Sequence, residues 1–149
     1  MSYSRRPVEI LLVEDNHGDV ELTRQVLKSC LVANNLHAVS DGLEASDFLR
    51  HRGKYGDASR VDLILLDLNL PRKDGRELLA EIKSDPALKL IPVIVLTTSA
   101  SEWDILKCYS LHANCYVTKP LALEQYVTMV KTIEDFWLST VKLPRADTL

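Results

Sequence analysis

The stretch "VDLILLDLNLPRKDG", residues 61–75, decides how the rest of the chain is read. Val61 to Leu66 is apolar apart from Asp62, and six residues of this kind make a strand buried on both faces. The run then ends on a second acid, Asp67, followed by Leu68-Asn69-Leu70-Pro71 and the pair Asp74-Gly75. A carboxylate at the end of a buried strand is often only a turn or cap residue. Asp74 before Gly75 fits that plain explanation, as does Asp41 before Gly42. Asp67 needs the rest of the chain to explain it.

Working outward, short apolar runs alternate with helical patterns. "VEILLV" (8–13), "LHAVS" (36–40), "VDLILLD" (61–67), "PVIVLT" (92–97) and "NCYVT" (114–118) read as five strands. Between them lie helical stretches. The first spans Asp19 to Val32, with Leu22, Val26 and Cys30 recurring every fourth position and Val20, Leu27 and Leu31 widening the stripe. A short helix holds Leu43, Ala45, Phe48 and Leu49; a third runs Gly75 to Ser84 and stops before Pro86; a fourth runs Ser101 to His112. A long last helix covers Leu121 to about Val141. "HRGKYGDASR" (51–60) reads as an exposed loop, and Pro144 to Leu149 as a frayed tail. Five β-α units in series imply a doubly wound, five-stranded parallel sheet with helices on both faces, the flavodoxin-like (βα)5 class.

Composition narrows the function. The 149 residues carry a net charge of -3, with 46% hydrophobic and 26% charged residues, as in an ordinary single globular domain. Lysines and arginines are scattered, so direct nucleic-acid binding is not expected. Cys30, Cys108 and Cys115 form no metal or disulfide pattern and read as reduced, buried thiols. His17, His37, His51 and His112 show no metal spacing. No signal peptide is evident, and no run approaches the roughly 18 apolar residues of a membrane span, so a cytoplasmic protein is expected.

Ligands of open parallel sheets bind beyond the carboxyl ends of the strands. Strand one ends there in Glu14-Asp15, strand three in Asp67, strand four in Thr97-Thr98, and strand five in Thr118-Lys119-Pro120. Three crowded carboxylates repel one another unless a cation neutralises them. A hard divalent ion suits them, with Asp15 and Asp67 as direct ligands, Glu14 through water, and the backbone carbonyl of Asn69 as a further oxygen. Lys119 offers a movable positive charge and Thr97 a hydroxyl donor. Together these groups suit phosphoryl transfer to Asp67 as a carboxylate nucleophile.

At these residues the chain resembles the receiver domain of two-component response regulators, from about Val8 to Met129. The matching pieces are "LLVEDN", "LLDLNLPRKDG", "PVIVLTT" and "CYVTKP". The resemblance implies that a histidine kinase phosphorylates Asp67 with Mg2+ as cofactor, Mn2+ or Ca2+ being able to substitute. It implies a cis bond before Pro120 that aims Lys119, and a switch pairing Thr97 with the aromatic Tyr116. Asn69 and Ser99 match positions that tune dephosphorylation. A signalling phosphoacceptor, not an enzyme in its own right, is expected to read out through the fourth helix, fifth strand and fifth helix.

The segment between Gly42 and Asp67 is longer than in compact receivers, and no output domain follows Pro120, so a single receiver domain is expected (core about 8–130, extension and tail 131–149) whose output is binding. On the last helix Val127, Val130, Ile133 and Trp137 can face the sheet, leaving Tyr126, Met129 and Phe136 on one flank. With helix four these give an expected partner surface of Trp103, Tyr109, Tyr126, Met129, Phe136 and Trp137, most simply a homodimer interface. "IEDFWLSTVKLP" and "LHANCYVTKP" resemble the small regulators paired with cyanobacterial phytochromes, which implies a phytochrome-type kinase as partner.

Three other classes compete. A haloacid-dehalogenase-type phosphatase places a second Asp two residues after its nucleophile, where this chain has Asn69. A nucleotide-binding domain needs a glycine-rich loop where "VEDNHGD" stands. A pseudo-receiver scaffold lacks some of the acids, hydroxyl and lysine that are all present here.

Overall fold

A computed structural model describes residues 6–145 of the chain. Its strands are β1 (Val8–Val13), β2 (Asn34–Val39), β3 (Leu63–Leu66), β4 (Val93–Thr97) and β5 (Cys115–Thr118). They form one sheet of five strands in the order β2-β1-β3-β4-β5, every pairing parallel. The helices are α1 (His17–Lys28), α2 (Gly42–Leu49), α3 (Gly75–Ser84), α4 (Glu102–Ser110) and α5 (Leu123–Glu134). The order reverses at β1 and β3, so their carboxyl ends open into the crevice where such sheets bind ligands.

The period-2 alternation of a strand sorts the core into two layers. Leu11, Val13, Ile64, Leu66, Val93 and Val95 point to one face and pack with residues of α2, α3 and α4, such as Phe48, Leu79 and Cys108. Ile10, Leu12, Leu63, Leu65, Ile94 and Leu96 point to the other and meet α1 and α5 through Val26, Leu27, Tyr126, Val130 and Ile133. Side chains cap four helices. Asn16, Asp41, Asp74 and Ser101 accept from the backbone amides of Asp19, Glu44, Arg76 and Asp104. Asp41 and Asp74 are thus helix starts, as their glycine neighbours indicate.

Several elements differ from the sequence reading. Helix α1 ends at Lys28, and Leu31 beyond it is 102% exposed, so it does not widen the buried stripe. Tyr55 anchors the 51–60 loop in a 3-10 turn, its ring 5.0 Å from that of Phe48. The last helix is α-helical only to Glu134 and continues as a π-helical turn over Asp135–Thr140, in which Trp137 and Leu138 pack on the α1–α5 layer. Cys108 is buried, whereas Cys30 and Cys115 are only half-buried; all three are free thiols.

The tail is held where it touches the sheet. Arg145 donates to the carbonyls of Arg6 and Pro7 at 2.7 and 2.9 Å and lies 3.6 Å from Asp62. Asp62, at the entry of β3, also takes both forks of Arg6 at 2.8 and 2.9 Å and the Glu9 amide at 2.8 Å. A carboxylate buried at 2% exposure has to be paired, and the two termini supply the arginines. Residues 146–149 of the expected frayed tail lie outside the described residues.

Tyr126 is corrected from partner surface to core. It is 4% exposed, its hydroxyl lies 3.2 Å from that of Thr23, and burial pushes its phenol up to about 12. Trp137 and Met129 are half-buried against the same layer. Of the six expected surface residues, Trp103, Tyr109 and Phe136 are the exposed ones, at 65%, 47% and 52%.

Candidate functional site

Register brings the acids together. Val13 pairs with Leu66, so Glu14, Asp15 and Asp67 follow directly from the ends of adjacent parallel strands. Backbone bonds fix the exit points: the Asp67 amide donates to Val13 at 3.0 Å, and that of Glu14 to Val39 at 3.0 Å. Each of the three acids offers a carboxylate oxygen, and these atoms all lie within 4.8 Å of one another. Glu14 and Asp67 are buried, while Asp15 faces solvent. Hard oxygen donors so arranged fit a divalent cation. Asn69 is exposed in the loop just beyond Asp67, on the same side.

Gly75 fits the first turn of α3 tightly against that loop. A Cβ at Gly75 would lie 2.3 Å from the Asp67 carbonyl oxygen and 2.6 Å from the Leu68 Cα. The Gly75 amide donates to Leu68 at 2.9 Å, and the Leu68 amide donates to Asp67 Oδ1 at 2.7 Å. Its other oxygen, Oδ2, faces Lys119.

Lys119 crosses from β5 into the cluster. Its amide donates to the Thr97 carbonyl at 2.7 Å. Its ammonium donates to Glu14, to Asp19 at 3.0 Å and to Asp67 at 3.4 Å. Burial works against its charge, but the Glu14 and Asp19 carboxylates outweigh burial and hold its pKa above the usual lysine value. Burial, with the nearby Asp67, pushes Glu14 up to about 7 against the pull of Lys119. A second positive charge is what this carboxylate cluster still accommodates.

No cis peptide bond occurs among the described residues, so the expectation for Pro120 is corrected. Trans is the lower form of an X-Pro bond by about 0.5–1 kcal/mol. The Thr97 carbonyl and the three carboxylates direct Lys119 with the bond in that form.

Thr97 is fully buried at the end of β4, and its hydroxyl sits 3.5 Å from the Ser99 amide. The Tyr116 hydroxyl donates to the Ser99 carbonyl at 2.8 Å, with its ring half-buried beside α4. Three charged residues in or beside the site escaped the sequence reading. Asp19 resembled an ordinary acid in the first turn of a helix, and its contact with Lys119 spans 100 residues. Arg76 and Asp104, each in the first turn of its helix, bind each other at 2.7 Å across 28 residues, which local sequence does not signal.

The chain belongs to the response regulator receiver domain family, which it matches over residues 10–131. It is a two-component signalling protein, and the family implies a histidine kinase as partner and a divalent metal at the acids. The chain is 53% identical over 143 residues to Response regulator Rcp1 of Synechocystis sp., covering 96% of this chain and 97% of that one. It is similar to the phosphorylated cyanobacterial phytochrome response regulator RcpA, at 56% identity and a TM-score of 0.91 over 94% of this chain and 100% of that structure. The Mn2+-bound form of Rcp1 is also similar, with 53% identity and a TM-score of 0.91 over 93% and 100%. The family removes the phosphatase and nucleotide-binding alternatives. Among the described residues no helix is long and apolar enough to cross a membrane.

Proposed function

We propose that Asp67 is the phosphoryl acceptor of a single receiver domain spanning the chain, and that its donor is a phosphohistidine of a phytochrome-type kinase in the cytoplasm. The observation carrying this reading is the meeting of Asp67 Oδ2 and the Lys119 ammonium at 3.4 Å beside Glu14 and Asp15. An Asp67 oxygen attacks phosphorus, the P–N bond breaks, and the imidazole leaves with the bonding pair and takes up a proton. Lys119 then faces the oxygens on which charge accumulates. Glu14, Asp15, Asp67 and the Asn69 carbonyl would hold Mg2+, which when bound neutralises phosphoryl charge. Thr97, at the end of β4, would donate its hydroxyl to the new phosphoryl group, which favours the position Tyr116 already holds on the Ser99 carbonyl. The protein assists its own phosphorylation and dephosphorylation but turns over no substrate of its own.

Output then runs through the α4–β5–α5 face, where Trp103, Leu106 and Tyr109 are exposed. Phe136 is exposed on the π-helical turn, edge-on to Trp137, and we assign it to a homodimer contact. Sedimentation of a chain truncated before Phe136 should give monomers; a persistent dimer places the interface elsewhere. Phosphotransfer profiling against purified histidine kinases tests the donor assignment. Preferential labelling by phytochrome-type kinases supports it, and labelling by other kinases alone refutes it.

A further inference from the structure

Outside the acid cluster, one chain of polar contacts crosses the top of the sheet. Arg76, in the first turn of α3, sits next to Gly75, which packs on the Asp67 backbone. Its guanidinium donates Nε and Nη2 to Asp104 Oδ1 at 2.9 and 2.7 Å, and Nη1 to Asp74 at 3.1 Å. Asp104 is buried in the first turn of α4, and its other oxygen accepts from the Ser99 hydroxyl at 2.6 Å. The Ser99 carbonyl in turn accepts from the Tyr116 hydroxyl. The Tyr116 amide donates to the Tyr109 hydroxyl at 3.2 Å, and Tyr109 stands on the exposed face of α4. The path therefore starts at the loop carrying Asp67 and ends on the expected output surface.

The geometry points to Arg76 and Asp104 as positioning residues that clamp the β4–α4 loop and hold Tyr116 inward before any phosphoryl group arrives. This rests on the phosphoacceptor reading for its consequence, though not for its structure. Neither residue reaches the carboxylate cluster. Both act through Ser99, whose hydroxyl and carbonyl they orient. A loop already ordered in the binding-competent form loses less freedom when a phosphoryl group or its mimic binds. Releasing the clamp therefore lets Tyr116 populate an outward position and weakens binding of the mimic. Charge supports the arrangement: Asp104 has the Ser99 hydroxyl and the Arg76 guanidinium, which hold its carboxyl below the usual range.

Two readouts test the clamp. In the full chain, 3-fluorotyrosine placed at position 116 should give one fluorine resonance in the wild-type background. Asp104→Asn should add a second, solvent-exposed resonance. The milder Ser99→Ala, which removes only the hydroxyl, should do the same and decides the matter if Asp104→Asn does not fold. Beryllofluoride with Mg2+ should bind Asp104→Asn at least about five-fold more weakly, the lower range of couplings between sites. In a Tyr116→Phe background the difference should shrink below about two-fold, because the clamp acts through the tyrosine hydroxyl. A single unshifted resonance in folded Asp104→Asn and Ser99→Ala overturns the proposal. So does an affinity loss undiminished by Tyr116→Phe. If the wild-type chain binds no beryllofluoride, the phosphoacceptor reading fails instead, while the fluorine signal still decides whether the clamp exists.

Discussion

Replacing Asp62 by alanine separates the two acids that bracket β3. Asp62 and Asp67 are both buried, at 2% and 8% exposure, yet they stand at opposite ends of the strand, about 16 Å apart along extended chain. Asp62 accepts two bonds from Arg6 and one from the Glu9 amide, with Arg145 at 3.6 Å. Breaking a buried pair by removing one partner costs about 3–5 kcal/mol. Arg6 is 31% exposed and regains water, so the low end applies, about 3 kcal/mol. For a chain of this length each kcal/mol lowers Tm by about 2–4 °C, so Asp62→Ala should melt about 6–12 °C below wild type. Asn keeps an acceptor for the Glu9 amide and should lose about 2 kcal/mol. The acid cluster lies at the other end of β3, and Arg6, released to water, has its charge screened there, so the acid cluster is little affected. Below its melting point the variant should therefore accept phosphoryl groups at the wild-type rate. Differential scanning calorimetry and phosphotransfer from one kinase check both halves. A melting point within 2 °C of wild type refutes the energetic reasoning, and a folded variant that no longer accepts phosphate refutes the separation of roles.

Gly75→Ala forces a Cβ into the Asp67 carbonyl and should cost about 1–3 kcal/mol in urea unfolding; slowed phosphorylation is also expected, since the displaced backbone belongs to Asp67. Glu81 is held at about 2, below its ordinary 4.5: burial opposes its charge, but Lys73, Ser46 and Arg50 prevail. Its folded value is depressed, so its contribution is complete above pH 4.5 and fades as pH falls toward 2. After allowance for solvent screening, Glu81→Gln should be about 1–2 kcal/mol less stable near pH 6 and show little difference near pH 2; a difference independent of pH in chemical denaturation contradicts this. Asp15→Asn removes one charged ligand and should weaken Mg2+ binding by about tenfold or more in calorimetry; an unchanged affinity places the ion elsewhere.

The fold was legible because each strand reads as a short apolar run, and the site because its residues stand at strand ends. "VEILLV" and "PVIVLT" needed no tertiary information. Asp67 was readable as the acid that ends a buried strand. Asp62 lay near the entry of the same strand but gave no sign of its two arginines, because Arg6 and Arg145 are remote in sequence. Asp19, Arg76 and Asp104 escaped notice for the same reason: a charged residue in a helix's first turn has a sufficient local explanation. Tyr126 was misplaced by helical periodicity alone. The wide apolar spread of α5 did not distinguish a flank from the core, and the Thr23 hydroxyl that lets a tyrosine be buried lies on another helix. Boundaries at Lys28 and Glu134 depend on where the chain leaves the sheet, which local pattern does not encode.

Phosphoryl acceptance by Asp67 is read most directly by intact-mass spectrometry of the chain after incubation with a phosphorylated histidine kinase and Mg2+. One added phosphoryl group that hydroxylamine removes, as it does an acyl phosphate, is expected, and none in Asp67→Asn. An unchanged mass with a kinase that phosphorylates a control receiver, or a phosphoryl group retained by Asp67→Asn, would contradict it.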